Sequence, residues 1–317
     1  MFLSSYTQEK GLEGIWYAAY TISDGNQSPL SETTLLQFKD NQLFSIKIRD
    51  FSTGEFNKIS IDTSEYKFSN GKLKFKSYSP RTELTKDSLT LEFENQTLVL
   101  RRIPESLKNV KISADCFHGS YIIKSENYQD SIDFVNDSLL IYTGEYHQNF
   151  PIKKWQIIEY EDLKFLNIYG DLQPITIVKS CNSNGIQLVY PSIQVINIRL
   201  TPTIGEIAKE QLIGEWTEIE NSYPSQPPPP NLKYEDLLYS VNIKRDSIEI
   251  GKFKRTKTYK WNLTSDGKRI YFIDRLFENE GSWKLLNLSE TIMTVRISSH
   301  SGAKEELVKF ERKKNGR

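Results

Sequence analysis

The chain holds three histidines, His118, His147 and His300. An imidazole becomes a general base only beside a nucleophile and a group that orients it. None of the three has a serine or cysteine at a recognisable motif spacing. Neither Gly-x-Ser-x-Gly nor His-Glu-x-x-His occurs. A hydrolase site would have to be assembled from residues far apart in sequence. Carboxylates are plentiful on turn segments, but turn Asp and Asn usually cap their own backbone. No catalytic, cofactor-binding or metal-ligating residue is therefore assigned, and hydrolysis is the least supported reading. The two cysteines, Cys116 and Cys181, are too few for a disulfide scaffold and lack a Cys-x-x-Cys or paired-His context. They read as small buried apolar residues, with a bond between them as the alternative.

Two segments could carry recognition instead. Residues 252–261 read Lys-Phe-Lys-Arg-Thr-Lys-Thr-Tyr-Lys-Trp, mixing cations and rings as single-stranded nucleic-acid surfaces do. Their alternation changes parity near Arg255, the mark of a charged hairpin tip. A solvated, edge-guarding surface is the preferred reading. Tyr223, Pro227, Pro228, Pro229 and Pro230 lie in a proline-rich stretch. Proline favours an extended conformation that presents its faces to partners, or else a stiff spacer. The 17 Tyr would suit a carbohydrate-stacking surface, but most of these rings fall within alternating strands, where core packing is the default.

The balance of 41 basic and 41 acidic residues in 317 gives no global field for nucleic acid or an anionic membrane. Residues 1–106 carry 13 basic and 14 acidic side chains, 107–206 carry 8 and 11, and 207–317 carry 20 and 16. The middle segment is the least charged, as expected if its outer surface is covered. No run of apolar residues is long enough to span a membrane. Residues 2–8 resemble the tail of a secretory signal peptide, so export to the periplasm or cell surface is favoured over a cytoplasmic location.

The elements that would position these residues come as a repeat. Gly14-Ile15-Trp16, Gly119-Ser120-Tyr121 and Gly214-Glu215-Trp216 each open a run of alternating short segments. In each run the hairpins fall in the same order. The first are Leu36-Gln37-Phe38 with Phe44-Ser45-Ile46, Ile132-Asp133-Phe134 with Leu139-Leu140-Ile141, and Val241-Asn242-Ile243 with Ile248-Glu249-Ile250. The second set starts on Tyr66, Trp155 and Tyr259 and turns at Asn70-Gly71, Glu161-Asp162 and Asp266-Gly267. Asn-Gly and Asp-Gly supply the positive φ that tight hairpins need. Period-2 alternation with one apolar face is the antiparallel pattern. The fold class is therefore all-β: three tandem small up-and-down barrels of about eight strands, residues 1–106, 107–206 and 207–317. Closure is preferred to a sandwich because it removes exposed edges. Only residues 104–108 and 205–211 look helical, as short turns ahead of the second and third entries. The middle unit has stretches apolar on both faces, such as Leu139-Leu140-Ile141-Tyr142; these suit either packing against neighbours or a weaker pattern.

These motifs resemble the lipocalin-like domain family common in Bacteroidetes. The Gly-x-Trp entry, a late hairpin such as Leu84-Thr85-Lys86-Asp87-Ser88-Leu89-Thr90-Leu91 and a closing strand with Arg carry the resemblance. It covers the first and third units well and the middle unit loosely, where Tyr121 replaces Trp. It implies that the entry ring plugs one end of each barrel beneath the closing-strand Arg: Trp16 with Arg102, Trp216 with Arg312, and Tyr121 with Arg199. It also implies barrel interiors either filled or open to one small apolar ligand, and filling is preferred because Phe, Tyr, Leu and Ile occupy the inward positions. The expectation is a non-enzymatic binding protein that recognises a protein or cell-surface partner through loops. The alternative is a carrier of a small apolar ligand. No cofactor, nucleic acid or membrane span is implied.

Overall fold

The computed structural model describes residues 11–30, 33–48, 59–113, 116–126, 128–145, 151–169, 175–192, 195–220, 230–276, 278, 281–298 and 305–313, with backbone alone at 220 and 298. The described chain is nearly all strand. The first sheet contains β1 (Gly14–Ser23), β2 (Asn26–Pro29), β3 (Thr34–Lys39), β4 (Gln42–Lys47), β5 (Ser60–Ser69), β6 (Lys72–Phe75), β7 (Arg81–Leu84), β8 (Ser88–Glu92) and β9 (Thr97–Arg102). β1 pairs with both β3 and β9, so eight of these nine strands close into a barrel, and β2 is added beside the upper half of β1.

A second closed barrel runs β10 (Gly119–Lys124), β11 (Gln129–Asn136), β12 (Leu139–Tyr142), β13 (Ile152–Tyr160), β14 (Leu163–Ile168), β15 (Thr176–Asn182), β16 (Gly185–Pro191) and β17 (Val195–Thr203). The third runs β18 (Gly214–Glu220), β19 (Ser240–Ile243), β20 (Ser247–Lys252), β21 (Arg255–Leu263), β22 (Arg269–Phe272), β23 (Ser282–Leu288), β24 (Ile292–Ser298) and β25 (Glu305–Arg312). No helix among the described residues is long and apolar enough to cross a membrane.

The repeat extends to register. Gly14 faces Phe38, Gly119 faces Phe134 and Gly214 faces Ile243, each as the first pair of its barrel. Trp16 pairs with Arg102, and Trp216 with Arg312. A bulge then follows at the same step, between Ala18 and Tyr20 and between Glu218 and Glu220. A bulge bends the strand and strengthens its twist, which a small barrel needs at its corners.

Two compact units divide the contacts. One holds Met1–Cys116, Ser125–Asn127 and Trp155–Arg199; the other holds Phe117–Lys124, Tyr128–Lys154 and Leu200–Arg317. In the first unit the inner faces of β1 and β3–β9 bury Trp16, Ala18, Leu36, Phe38, Leu43, Tyr66, Phe68, Leu73, Leu89, Leu91 and Leu100 as one cluster. The outer faces of β1, β3 and β4 are apolar as well. Ile15, Tyr17, Leu35 and Ile46 pack against Ile158, Leu163, Phe165 and Ile177 of β13–β15. Burial on both faces accounts for the unbroken apolar run Ile15–Ala19 in β1. Phe44, Ile46 and Ile48, an alternating set in the sequence, belong to this outer layer rather than to the barrel interior. In the second unit the barrel from β18 to β25 is filled by Trp216, Val241, Ile243, Trp261, Phe272, Trp283, Leu285, Met293, Val295 and Phe310.

Candidate functional site

Short helical turns precede two of the entry strands, with Gly11 and Leu12 before β1 and Lys209–Leu212 before β18. A helix end leaves carbonyls without intrahelical partners, and they must be satisfied locally. The closing-strand arginines do this in the same way twice. Arg102 donates from Nη1 to the Glu13 carbonyl at 2.6 Å and from Nη2 to the Gly11 carbonyl. Arg312 donates from Nη1 to Ile213 at 3.2 Å and from Nη2 to Gln211. The acceptors stand three and five residues before the Trp in both barrels. The indole N–H completes the set, reaching the carbonyl four residues back: Trp16 to Leu12 and Trp216 to Leu212, both at 2.8 Å.

The guanidinium carbon lies 4.1 Å from the Trp16 ring centroid and, in the other barrel, 4.3 Å from that of Trp216. Desolvation against this base lowers the Arg102 pKa from its ordinary value. The glycine of the entry motif makes room for the clamp. Gly14 has φ 125° and Gly214 has φ 144°, and a Cβ on Gly14 would stand 3.0 Å from Arg102 Nη1.

The middle barrel differs. Tyr121 is buried and packs edge-on to Phe134 at 5.7 Å, while Arg199 points to solvent on β17. Its neighbour on that strand, Leu200, is the buried one. Phe117, four residues before Tyr121, fills the place held by Leu12 and Leu212. Cys116, five residues before Tyr121, is bonded to Cys181 on β15, with Cα atoms 6.0 Å apart. The two cysteines are thus joined rather than being separate apolar residues. A covalent bond fastens the base segment where the other barrels use a guanidinium.

A second polar cluster lies in the unit containing β10–β12 and β18–β25. Asp133 accepts from Ser120 Oγ at 2.8 Å and from the Ser265 amide at 3.1 Å. Asp266 accepts from Thr143 and Thr264 hydroxyls at 2.5 and 2.8 Å. Burial raises the Asp133 pKa, with Asp266 adding to the effect. Lys284 donates to the Gly144 carbonyl and to Glu145, and Arg296 pairs with Glu145 at 3.3 Å. These contacts, led by the Lys284 bond, hold the Glu145 carboxyl below its usual range. Arg269, almost wholly buried, donates to Ser282 Oγ at 3.2 Å, and desolvation brings its pKa down to about 10. Glu145 is met by two cations and Asp133 and Asp266 by hydroxyl and amide donors, whereas the buried Arg269 Nε has no hydrogen-bond partner among the described residues. The cluster fastens β11–β12 to the β21–β22 turn and β23. Sequence reading missed it because each residue looks like an ordinary turn or surface charge.

At the mouth of the third barrel, Glu218 on the inner face of β18 accepts the Tyr239 amide at 2.8 Å, and burial raises its pKa. Lys252 stands 3.7 Å from Glu306 and 3.7 Å from the Tyr239 ring centroid. These side chains close the top of a core already filled from below. A cleft of about 610 Å³ lies instead beneath the Arg102 clamp of the first barrel, lined by Gly11, Leu84, Thr85, Lys86, Asp87, Arg102 and Pro104.

Among the residues weighed for chemistry, His118 forms an exposed pair with Asp137 at 3.7 Å. His147 and His300 lie outside the described residues, as do Tyr223, Pro227, Pro228 and Pro229. Pro230 is an exposed turn residue. No group of three or more His, Cys, Asp and Glu suited to a metal ion occurs among the described residues.

No family model matches the chain, and no curated protein matches it. Among solved structures it is similar to a lipocalin-like protein from Bacteroides uniformis, at 13% identity over 29% of this chain and 99% of that one, TM-score 0.26. It is also similar to the β subunit of the Streptococcus pyogenes DNA polymerase, at 9% identity over 96% and 92%, TM-score 0.19. A third likeness, to the isotype 1 transferrin binding protein B of serogroup B Neisseria meningitidis, has 10% identity over 92% and 67%, TM-score 0.16. Likenesses of this strength assign neither family nor role.

Proposed function

We propose that the chain is a non-enzymatic binding protein of three tandem lipocalin-like barrels of the Bacteroidetes type, spanning residues 1–106, 107–206 and 207–317. Its partner is a protein or a cell surface, met by loops on rigid barrels. The observation that carries this reading is the filling of the first and third barrels. A carrier needs an enclosed, mostly apolar space of about 300 Å³ or more, whereas Trp16, Phe38 and Phe68 occupy the first barrel and Trp216, Trp283 and Phe310 the third. Recognition then falls to the outside, where loops on a rigid scaffold commonly provide it.

The Trp–Arg pairs and Tyr121 act as barrel floors in this reading, not as ligand contacts. The proline segment at Tyr223 and Pro227–230 is the candidate partner loop. Its far end is held, since Lys254 donates to the Asn231 carbonyl at 2.9 Å and pairs with Asp236 at 3.3 Å. Export to the periplasm or cell surface is part of the proposal, supported by the Cys116–Cys181 bond, because disulfides persist in oxidising compartments. The test replaces residues 223–230 by a Gly/Ser segment of equal length and compares captured partners by mass spectrometry. The reading expects a partner held by the wild type and lost from the variant; undiminished capture would overturn it.

A further inference from the structure

β21 is longer than the strands that cover it. It pairs with β20 from Arg255 to Lys260, but with β22 only from Trp261 to Leu263. Among the described residues no strand pairs with the other side of residues 255–258, while the turn at Ile273–Arg275 meets Tyr259 and Lys260. Alternation in an antiparallel ladder decides which groups face that side. Phe253 and Lys254 form a two-residue turn with φ 54° and 58°, so Arg255, Lys257 and Tyr259 bond inward to β20. Thr256, Thr258 and Lys260 point their N–H and C=O groups outward. The Lys260 amide is taken by Asp274 Oδ2 at 2.9 Å. Thr256 and Thr258 remain open among the described residues.

The side chains along this edge are cationic and unmatched. Arg255, Lys257 and Lys260 are exposed, with no ion-pair partner among the described residues. The nearby acids are already engaged: Glu249 accepts from Lys244 and Asn242, and Asp236 pairs with Lys254. The turn itself holds a Phe and a Lys at positive φ, where Asn-Gly would be relaxed. It presents the Phe253 ring, about half exposed, while the Phe253 amide donates to the Asp236 carbonyl at 2.7 Å. Strain at an exposed aromatic turn points to use rather than to folding.

We propose that this edge docks an extended acidic segment of a partner protein as an added strand. Backbone hydrogen bonds to Thr256 and Thr258 would set its register, and carboxylates at alternate positions would meet Arg255 and Lys257. A second copy of the chain is a poorer occupant. The equivalent edge in the first barrel lies along β5, paired to β4 over Ser60–Glu65 and to β6 only from Tyr66. It carries Asp62 and Glu65, but Asp62 is already paired with Lys76. A nucleic acid is disfavoured by the zero net charge of the whole chain. The inference rests on the protein-binding reading above and names the partner's chemistry.

The probe is a fluorescently labelled eight-residue peptide alternating glutamate and threonine, titrated with the full-length protein and followed by anisotropy. Saturable binding that weakens with salt is expected. Binding should fall roughly tenfold in R255E/K257E, which loses two charge pairs. Thr258→Pro removes an outward N–H without touching the β20 ladder and should weaken binding to a similar extent, while Thr258→Ala should bind as wild type. The proposal is overturned if the peptide does not bind or if Thr258→Pro binds as wild type. It is equally overturned if a single-stranded oligonucleotide or heparin fragment binds more tightly, or if R255E/K257E abolishes self-association instead. Replacing residues 223–230 changes none of Arg255, Thr256, Lys257 and Thr258. Peptide binding that persists while capture survives that replacement faults the proline-loop reading alone. Lost capture without peptide binding faults this inference alone.

Discussion

Removing the Arg102 guanidinium tests the clamp at the base of the first barrel. Arg102→Met keeps an aliphatic cover over Trp16 but deletes the hydrogen bonds to Glu13, Gly11 and Lys86 carbonyls. The site is partly open to water, so each bond is discounted to about 0.5–1 kcal/mol, near the lower end of net hydrogen-bond values. Losing the cation–π contact at 4.1 Å adds about 0.5–1 kcal/mol. The total is about 3 kcal/mol. The unit containing this barrel is larger than one repeat, and for 150–250 residues each kcal/mol shifts Tm by about 2–4 °C, giving roughly 6–12 °C. Arg102→Lys keeps the charge but not the planar fork and should recover about 1 kcal/mol. Urea unfolding of the full chain would be followed by tryptophan fluorescence, with hydrogen–deuterium exchange of residues 14–23 and 97–102 as the local readout. Loss of less than about 0.5 kcal/mol in Arg102→Met, or wild-type stability in Arg102→Lys, would refute the clamp.

Other outcomes follow from the same geometry. Reducing the Cys116–Cys181 bond, or the double Ser variant, should cost about 4 kcal/mol for a separation of 65 residues, seen as faster exchange in residues 119–124; unchanged exchange would contradict a fastening role. Burial raises the folded-state pKa of Asp133, so the native state binds the proton more tightly than the unfolded state. Stability from this group is therefore present below the ordinary carboxylate value of about 4 and is lost as pH rises through the raised value. Asp133→Asn should flatten the urea midpoint against pH across that window; an unchanged slope would remove Asp133 as its source.

The repeat was legible because its signals are local. Asn-Gly, Asp-Gly and Gly-x-aromatic act within a few residues, and all three barrels place their first glycine in the same register. What lay hidden depends on contacts between distant segments. Phe44, Ile46 and Ile48 alternate as core residues do, yet they cover an outer wall, and periodicity alone does not say which side of a strand is inside. The bond from Cys116 to Cys181 joins the turn before β10 to β15, with no spacing motif to announce it. One signal could have found it: Cys116 stands five residues before Tyr121, where the other barrels put the carbonyl that receives the Arg. β2 reads Asn-Gln-Ser-Pro and is wholly exposed, so no apolar alternation announced it. The buried Asp133, Asp266, Arg269 and Lys284 look like turn and surface charges until two sheets are brought together.

Native mass spectrometry of the protein as purified tests most directly whether the barrels are filled by their own side chains. The account expects the 36.8 kDa chain free of small-molecule adducts, with any stoichiometric addition being protein. A non-covalent apolar molecule retained at one per chain and released by collisional heating would contradict it.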